Sequence, residues 1–200
     1  MKNIVFDLGG VLFARDKSKC TPELLEFFSF LRAPRMPLFW EEYDRGTSTL
    51  EEVTATISGM TGRPVETCAA VLRLAVDLQE PVKPTERLVG DLKAAGYRLY
   101  VLSNMSREFI DFLRRFPVYG LFDGEVVSCE EHTVKPEPRI YEILLERYGL
   151  TPSETLFIDD REMNIEAAAA LGIHGLVFDH RDPDAACDAL RRRLLQSDCI

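Results

Sequence analysis

The chain has 200 residues, 46% of them hydrophobic and 28% charged, which suits one good core with room for a small insertion. Its net charge of −9 argues against nucleic acid or an anionic membrane as the main partner. The five cysteines, an odd number without CxxC spacing, read as free thiols in a reducing compartment and exclude a disulfide framework.

The three histidines, His132, His174 and His180, have no metal-ligand spacing. The N-terminus carries one lysine and then a strand pattern, not a signal peptide, and no apolar run reaches the length of a membrane span. The expected location is the cytoplasm, as a monomer or weak dimer.

The first element is a short strand, Ile4-Val5-Phe6, ending on Asp7 and opening into a Gly9-Gly10 turn. Residues 14–20 read as a polar linker. A helical block follows, with no strand expected in it. Thr21 caps its first helix, Pro22 opens it, and Leu24, Leu25, Phe27, Phe28 and Leu31 continue it to the breakers Pro34 and Pro37. A second helix spans 38–45 and ends at Gly46. A third starts from a Ser48–Glu51 capping box and closes at Gly59 and Gly62; Pro64 opens a fourth. Pro81, Pro84 and Thr85 mark the return.

Thereafter helices and strands alternate: helix 86–95 stopped by Gly96, strand 98–103, helix 107–115, strand 124–128, helix 139–148, strand 155–160, helix 161–171, strand 173–178, and helix 184–195. The alternation implies right-handed βαβ units. The expected fold is α/β: a doubly wound, parallel, five-stranded Rossmann-like sheet with an inserted helical-bundle cap. The core is placed at 1–14 and 82–200 and the cap at 15–81, over the carboxyl edge of the sheet.

Three expected strands end in polar groups at that edge: Asp7, Ser103-Asn104 and Asp159-Asp160. Lys135 lies in the loop after the third strand in chain order, 124–128. Each has a plainer reading: Asp7 as a turn residue, Ser103-Asn104 and Asp159-Asp160 as helix caps, Lys135 as an exposed loop lysine. Together, in this order, they are hard to explain by caps alone. Clustered carboxylates repel unless a cation lies among them. Hard oxygen ligands suit Mg²⁺. A lysine and a hydroxyl or amide beside that cation make a cradle for a phosphoryl group, and a carboxylate can attack phosphorus to give an aspartyl-phosphate. The expected partner is a small phosphorylated metabolite, with no nucleic acid and no membrane.

The stretches FDLGGVL, VLSN, KPEPRIY and FIDDREMNIEAA resemble the four motifs of the haloacid dehalogenase superfamily. The resemblance covers about residues 1 to 195. It is to the branch with a helical cap, which includes small sugar-phosphate phosphatases and the phosphatase domain of epoxide hydrolases. It implies a Mg²⁺-dependent phosphoric monoester hydrolase of a small metabolite, with a sugar phosphate as the expected substrate, working through an aspartyl-phosphate. Asp7 would be nucleophile and metal ligand, Gly9 a carbonyl ligand and Asp160 the second carboxylate ligand. Ser103, Asn104 and Lys135 would bind phosphate, Lys135 also serving in catalysis. Asp159 would bond to the metal's waters or to Lys135, and Asn164, one helical turn on, would sit beside the acidic pair.

One departure stands out. Most phosphatases of the family carry a second Asp two residues after the nucleophile, as acid and base; here that residue is Gly9. The competing readings are a non-catalytic binding or scaffold protein, for which Gly9 is the main argument, and a 2-haloacid dehalogenase, against which Asp159-Asp160 argues. In the cap, Trp40, Tyr43, Arg45 and Arg15 are candidate substrate contacts, with Trp40 and Tyr43 favoured as cap core.

Overall fold

The computed structural model describes residues 1–32 and 36–195; Pro34, expected to break a helix, and Cys199 lie outside the described residues. The elements run β1 (Asn3–Phe6), β2 (Phe13–Arg15), α1 (Pro22–Phe27), α2 (Leu38–Asp44), α3 (Leu50–Thr61), α4 (Val65–Asp77), β3 (Gln79–Pro81), α5 (Lys83–Ala94) and β4 (Arg98–Ser103). They continue as α6 (Arg107–Leu113), β5 (Gly124–Val127), α7 (Ser128–Glu131), α8 (Pro138–Tyr148), β6 (Thr155–Asp159), α9 (Glu162–Ala170), β7 (His174–Val177) and α10 (Pro183–Leu195).

Five strands form one parallel sheet in the order β5-β4-β1-β6-β7, the expected α/β architecture. β1 is the middle strand, with Phe6 level with Val101 on one side and Ile158 on the other. All four of its residues are buried, so helices must cover both faces. Ile4 and Phe6 pack with Leu88 and Leu92 of α5, Ile110 of α6 and Leu190 of α10. Val5 packs on the other face with Tyr141 and Leu144 of α8. Each fully buried side chain of this kind contributes roughly 1.5–3 kcal/mol. The strand order reverses at β1, and ligands of open α/β sheets bind outside the carboxyl ends at such a reversal.

Helices α1 to α4 share a cluster of their own, built on Phe27, Phe28, Trp40, Tyr43, Ile57 and Leu72, to which α6 adds Phe109. Thr21 caps α1 as expected, its hydroxyl accepting the Leu24 N–H at 3.2 Å. The first helix is shorter than its apolar spacing suggests: α1 ends at Phe27 and a 3-10 turn, Ser29–Arg32, follows. The capping box of α3 is Thr49–Glu52, one residue beyond the expected Ser48–Glu51 pair, while Ser48 still donates to Glu52 at 3.2 Å.

The linker reading of 14–20 needs a larger correction. β2 pairs antiparallel with β3, Phe13 against Pro81 and Arg15 against Gln79. Three-residue strands are too short to show a period of two, and a proline in a run reads as a break. The helices α1 to α4 therefore leave and re-enter the sheet region through a two-stranded ribbon. Among the described residues, no helix is long and apolar enough to cross a membrane. Cys20, Cys68, Cys129 and Cys187 are free thiols.

Candidate active site

The carboxyl ends of β1, β4 and β6 bring Asp7, Ser103 and Asp159 side by side, and the loop before α8 brings Lys135 among them. The lysine ammonium lies 2.9 Å from Asp7 Oδ1 and 2.6 Å from Asp159 Oδ2, and donates to the Leu102 carbonyl at 3.0 Å. Ser103 Oγ donates to the same Asp7 oxygen at 2.7 Å. All four residues are buried, so Lys135 is no exposed loop lysine.

Two further groups fix this cluster. Asn104 grips the Lys135 backbone from both sides, accepting its N–H at 2.7 Å and donating to its carbonyl at 2.9 Å. Asn104 is therefore not a cap of α6. Asp159 takes the Asn164 amide on both oxygens at 3.0 Å and the Arg161 N–H at 2.8 Å. The plainer reading of Asp159 as a helix-start residue holds alongside the chemical one: one oxygen opens α9 and the other holds Lys135. Asn164 is itself pinned by Tyr141, whose hydroxyl donates to its carbonyl at 3.0 Å.

Asp160 lies just past the strand, partly buried, 3.5 Å from His180 Nδ1. Asp7, Asp159 and Asp160 each offer an oxygen within 4.8 Å of the others. Burial pushes the Asp7 carboxyl up to about 6; Lys135 opposes this, while Asp159 and Asp160 add to it. Asp160 is also raised, by burial and then by Asp159. Burial pulls Lys135 down, but Asp159 and Asp7 outweigh it and hold the ammonium above its ordinary range. Three carboxylates and one ammonium leave a surplus of negative charge in a site of hard oxygens. That donor set fits Mg²⁺.

The glycine turn divides its roles. Gly10 has φ +77°, and a Cβ there would stand 2.5 Å from Asp160 Oδ2, so only glycine fits. Gly9 has no positive φ, and a Cβ on it would meet nothing within 4 Å.

Above these groups lies a cavity of about 700 Å³, lined in part by Asp7, Gly9, Asn104, Lys135, Asp160 and Asn164. Of the candidate cap contacts, Trp40 and Arg15 line it, whereas Tyr43 and Arg45 do not. Trp40 is nonetheless 5% exposed, an edge of the cap cluster. Tyr43 is core, its hydroxyl donating to Glu108 at 2.5 Å. Arg45 is a clamp, bonded to both carboxylate oxygens of Glu137 at 2.6 and 2.9 Å.

Sequence reasoning missed Asp44, the last residue of α2, which lines the cavity. Burial pushes its carboxyl up to about 7 against the pull of Arg161; the Asp7 charge adds to the rise. A signal was present: an acid in the last turn of a helix opposes the helix dipole and needs another reason to be there.

The arrangement can be set beside known proteins. Residues 1–172 match the haloacid dehalogenase-like hydrolases. The chain is 29% identical over 192 residues to a sesquiterpene phosphatase of Aspergillus oryzae, covering 96% of this chain and 95% of that one. It is 28% identical to a D-ribitol-5-phosphate phosphatase of Bacteroides thetaiotaomicron, over 86% of this chain and 89% of the relative. A crystal structure of a family enzyme from Bacteroides thetaiotaomicron, in complex with magnesium and inorganic phosphate, superposes with a TM-score of 0.70 at 28% identity, over 90% of this chain and 95% of that one. On a match of this extent, over a parallel sheet whose strand ends gather these carboxylates, the chain is an enzyme that belongs to the haloacid dehalogenase-like hydrolase family.

Proposed function

We propose that this hydrolase is a Mg²⁺-dependent phosphatase of small phosphorylated metabolites that works through an aspartyl-phosphate on Asp7. The observation that carries the reading is the buried set of Asp7, Ser103, Lys135 and Asp159, of which Asp7 and Lys135, with Asp160 beside them, line one cavity. In the same proposal residues 15–81 form a cap over a core of 1–14 and 82–200.

Asp7 Oδ1 already carries Ser103 and Lys135, which leaves Oδ2 as the oxygen to attack phosphorus. Attack forms the Asp7–phosphorus bond and releases the alcohol; water then cleaves the acyl phosphate. Ser103 and Lys135, with Asn104 beside them, take the phosphoryl oxygens as charge builds on them. Asp7, Asp160 and the Gly9 carbonyl would hold Mg²⁺, which would supply charge stabilisation at the phosphoryl group. Asp159 holds Lys135 in place and Asn164 holds Asp159.

The leaving oxygen needs a proton that Gly9 cannot give. Asp44, in the same cavity with a carboxyl pushed up to about 7, is protonated in good part at neutral pH and is the donor in this reading. That weighs against a non-catalytic scaffold. A dehalogenase, expected to lack a motif IV acidic pair, is disfavoured by Asp159-Asp160.

Asp7→Asn tests the proposal, since an amide is a poor nucleophile and a weak metal ligand. Hydrolysis of p-nitrophenyl phosphate with Mg²⁺ is expected to vanish while the circular dichroism spectrum is unchanged. Activity within a few-fold of the parent would end the assignment of Asp7.

A further inference from the structure

The phosphoryl-binding groups occupy only the floor of the cavity, and its volume of about 700 Å³ is that of sites that enclose a drug-sized ligand. The upper walls therefore decide what is esterified to the phosphate. Among the described residues those walls are largely apolar. Leu25 and Phe28 come from the start of the cap, Met36 and Trp40 from α2 and the segment before it, Phe109 from α6 and Met163 from α9.

Two of these side chains are not covered by the protein. Leu25 is 43% exposed and Met163 40%, one on the cap and one on the core, both lining the same cavity. Apolar surface left open inside a pocket is surface that a ligand can take from water. Three polar side chains of the same walls already have partners, while Asp44 and Arg161 sit with them in the lining. Glu41 accepts from Arg45 at 2.8 Å, Arg15 lies over the Phe28 ring at 4.6 Å, and Gln79 donates to the Ala75 carbonyl at 3.4 Å. A sugar would bring several hydroxyls into these walls and leave them poorly matched, each at the cost of its lost water. A hydrocarbon chain would lose nothing.

We propose that the substrates are phosphate monoesters of hydrophobic alcohols, with the hydrocarbon chain lying between the side chains of Leu25, Phe28, Met36 and Trp40 and those of Phe109 and Met163 while the phosphoryl group sits at Asp7. This rests on the phosphatase reading and replaces the sugar phosphate as the favoured substrate class.

Linear alkylphosphonates from two to ten carbons, which cannot be hydrolysed, test the chain site by titration calorimetry on the Mg²⁺-loaded protein. The dissociation constant is expected to fall about two- to fourfold per added methylene until the cavity is filled, with an increasingly negative heat-capacity change. Hexylphosphonate is expected to bind at least about tenfold more tightly than a polyhydroxylated six-carbon phosphonate. Leu25→Asp is expected to reduce the gain per methylene for the longer chains. Affinity independent of chain length, a polyol bound as tightly as the hexyl compound, or an unchanged slope in Leu25→Asp would each overturn the proposal. Turnover of p-nitrophenyl phosphate reads the phosphatase reaction separately, so loss of that reading leaves the phosphonate result to stand or fall alone.

Discussion

At the scale of single residues, the two glycines after Leu8 look alike in the sequence and differ in the structure. Gly10 is required by its φ of +77° and by the Asp160 carboxylate facing it. Gly9, where relatives are expected to carry an acid, has space in front of it. Asp7, Ser103 and the Asp159-Asp160 pair were legible because each closes an apolar run at the same sheet edge, and Lys135 only as a loop residue after the strand at 124–128. Asp44 was not, because its neighbours in space, Asp7 and Arg161, are far from it in sequence. If Asp44 supplies the proton, Asp44→Asn is expected to lower kcat/KM for alkyl phosphates about a hundredfold and for p-nitrophenyl phosphate far less, since a good leaving group needs little help. Adding Gly9→Asp to Asp44→Asn is expected to restore the alkyl reaction without loss of thermal stability. Equal losses on both ester types, or no rescue, would show that the proton comes from elsewhere. Gly10→Ala is the contrasting change: it is expected to cost roughly 1–3 kcal/mol in urea unfolding, and to weaken Mg²⁺ binding by displacing Asp160.

At the scale of elements, the five strands of the parallel sheet could be read from their apolar runs, and α5, α8 and α9 from the glycines that follow them. The errors lie where elements are short or where tertiary contacts set the ends. β2 and β3 were missed for their length, and the cap of α3 shifted by one because Ser48 and Thr49 compete for the same glutamate. α7 follows β5 without a break, so no sequence signal separates them. The role of the α2 terminus was also hidden. Arg45 reaches Glu137 with two bonds while the His132 ring nitrogen Nδ1 meets the Arg45 carbonyl at 3.2 Å. A Cβ on Gly46 would stand 2.4 Å from the Cys129 carbonyl, so α2 closes directly onto α7. This junction fixes Asp44 and Trp40 relative to Asp7. A double-mutant cycle of Arg45→Ala and Glu137→Ala is expected to give a coupling of about 1 kcal/mol at low salt, smaller in 1 M salt because both partners are partly exposed. A coupling of zero would mean that the pair does not hold the junction.

At the scale of the whole molecule, the fold class was legible and the substrate was not, because the cavity walls are assembled from segments scattered along the chain. The raised carboxyls have a global consequence. Asp7 titrates at about 6 in the folded protein and Asp44 at about 7, against 3.8 as the ordinary value. The folded state thus holds more protons than the unfolded state between pH 4 and 7, and metal-free stability must fall as pH rises through that window. The upper bound is roughly 3 kcal/mol for Asp7 alone. Glu137, held down to about 2 by Arg45, works in the opposite sense and loses its contribution only as pH falls below the ordinary carboxylate range. Urea unfolding with EDTA is therefore expected to show stability declining from pH 5 to 7. With millimolar Mg²⁺ the decline is expected to flatten, because the ion binds the ionised carboxylates of the folded state. Parallel curves with and without Mg²⁺ would contradict the metal site.

The ribbon of β2 and β3 has a consequence for how the gene can change. Both passages between the sheet and the helices run side by side there, held by the Phe13–Pro81 and Arg15–Gln79 pairs. Whatever lies between Arg15 and Gln79 is, for the rest of the chain, one closed loop whose length enters its closing entropy only logarithmically. Helices can lengthen, shorten or be exchanged inside that loop while the strand ends that carry Asp7, Ser103 and Asp159 stay where they are. A lineage could then trade one alcohol for another by rewriting the loop around a retained Asp44 and leave the phosphorus chemistry untouched.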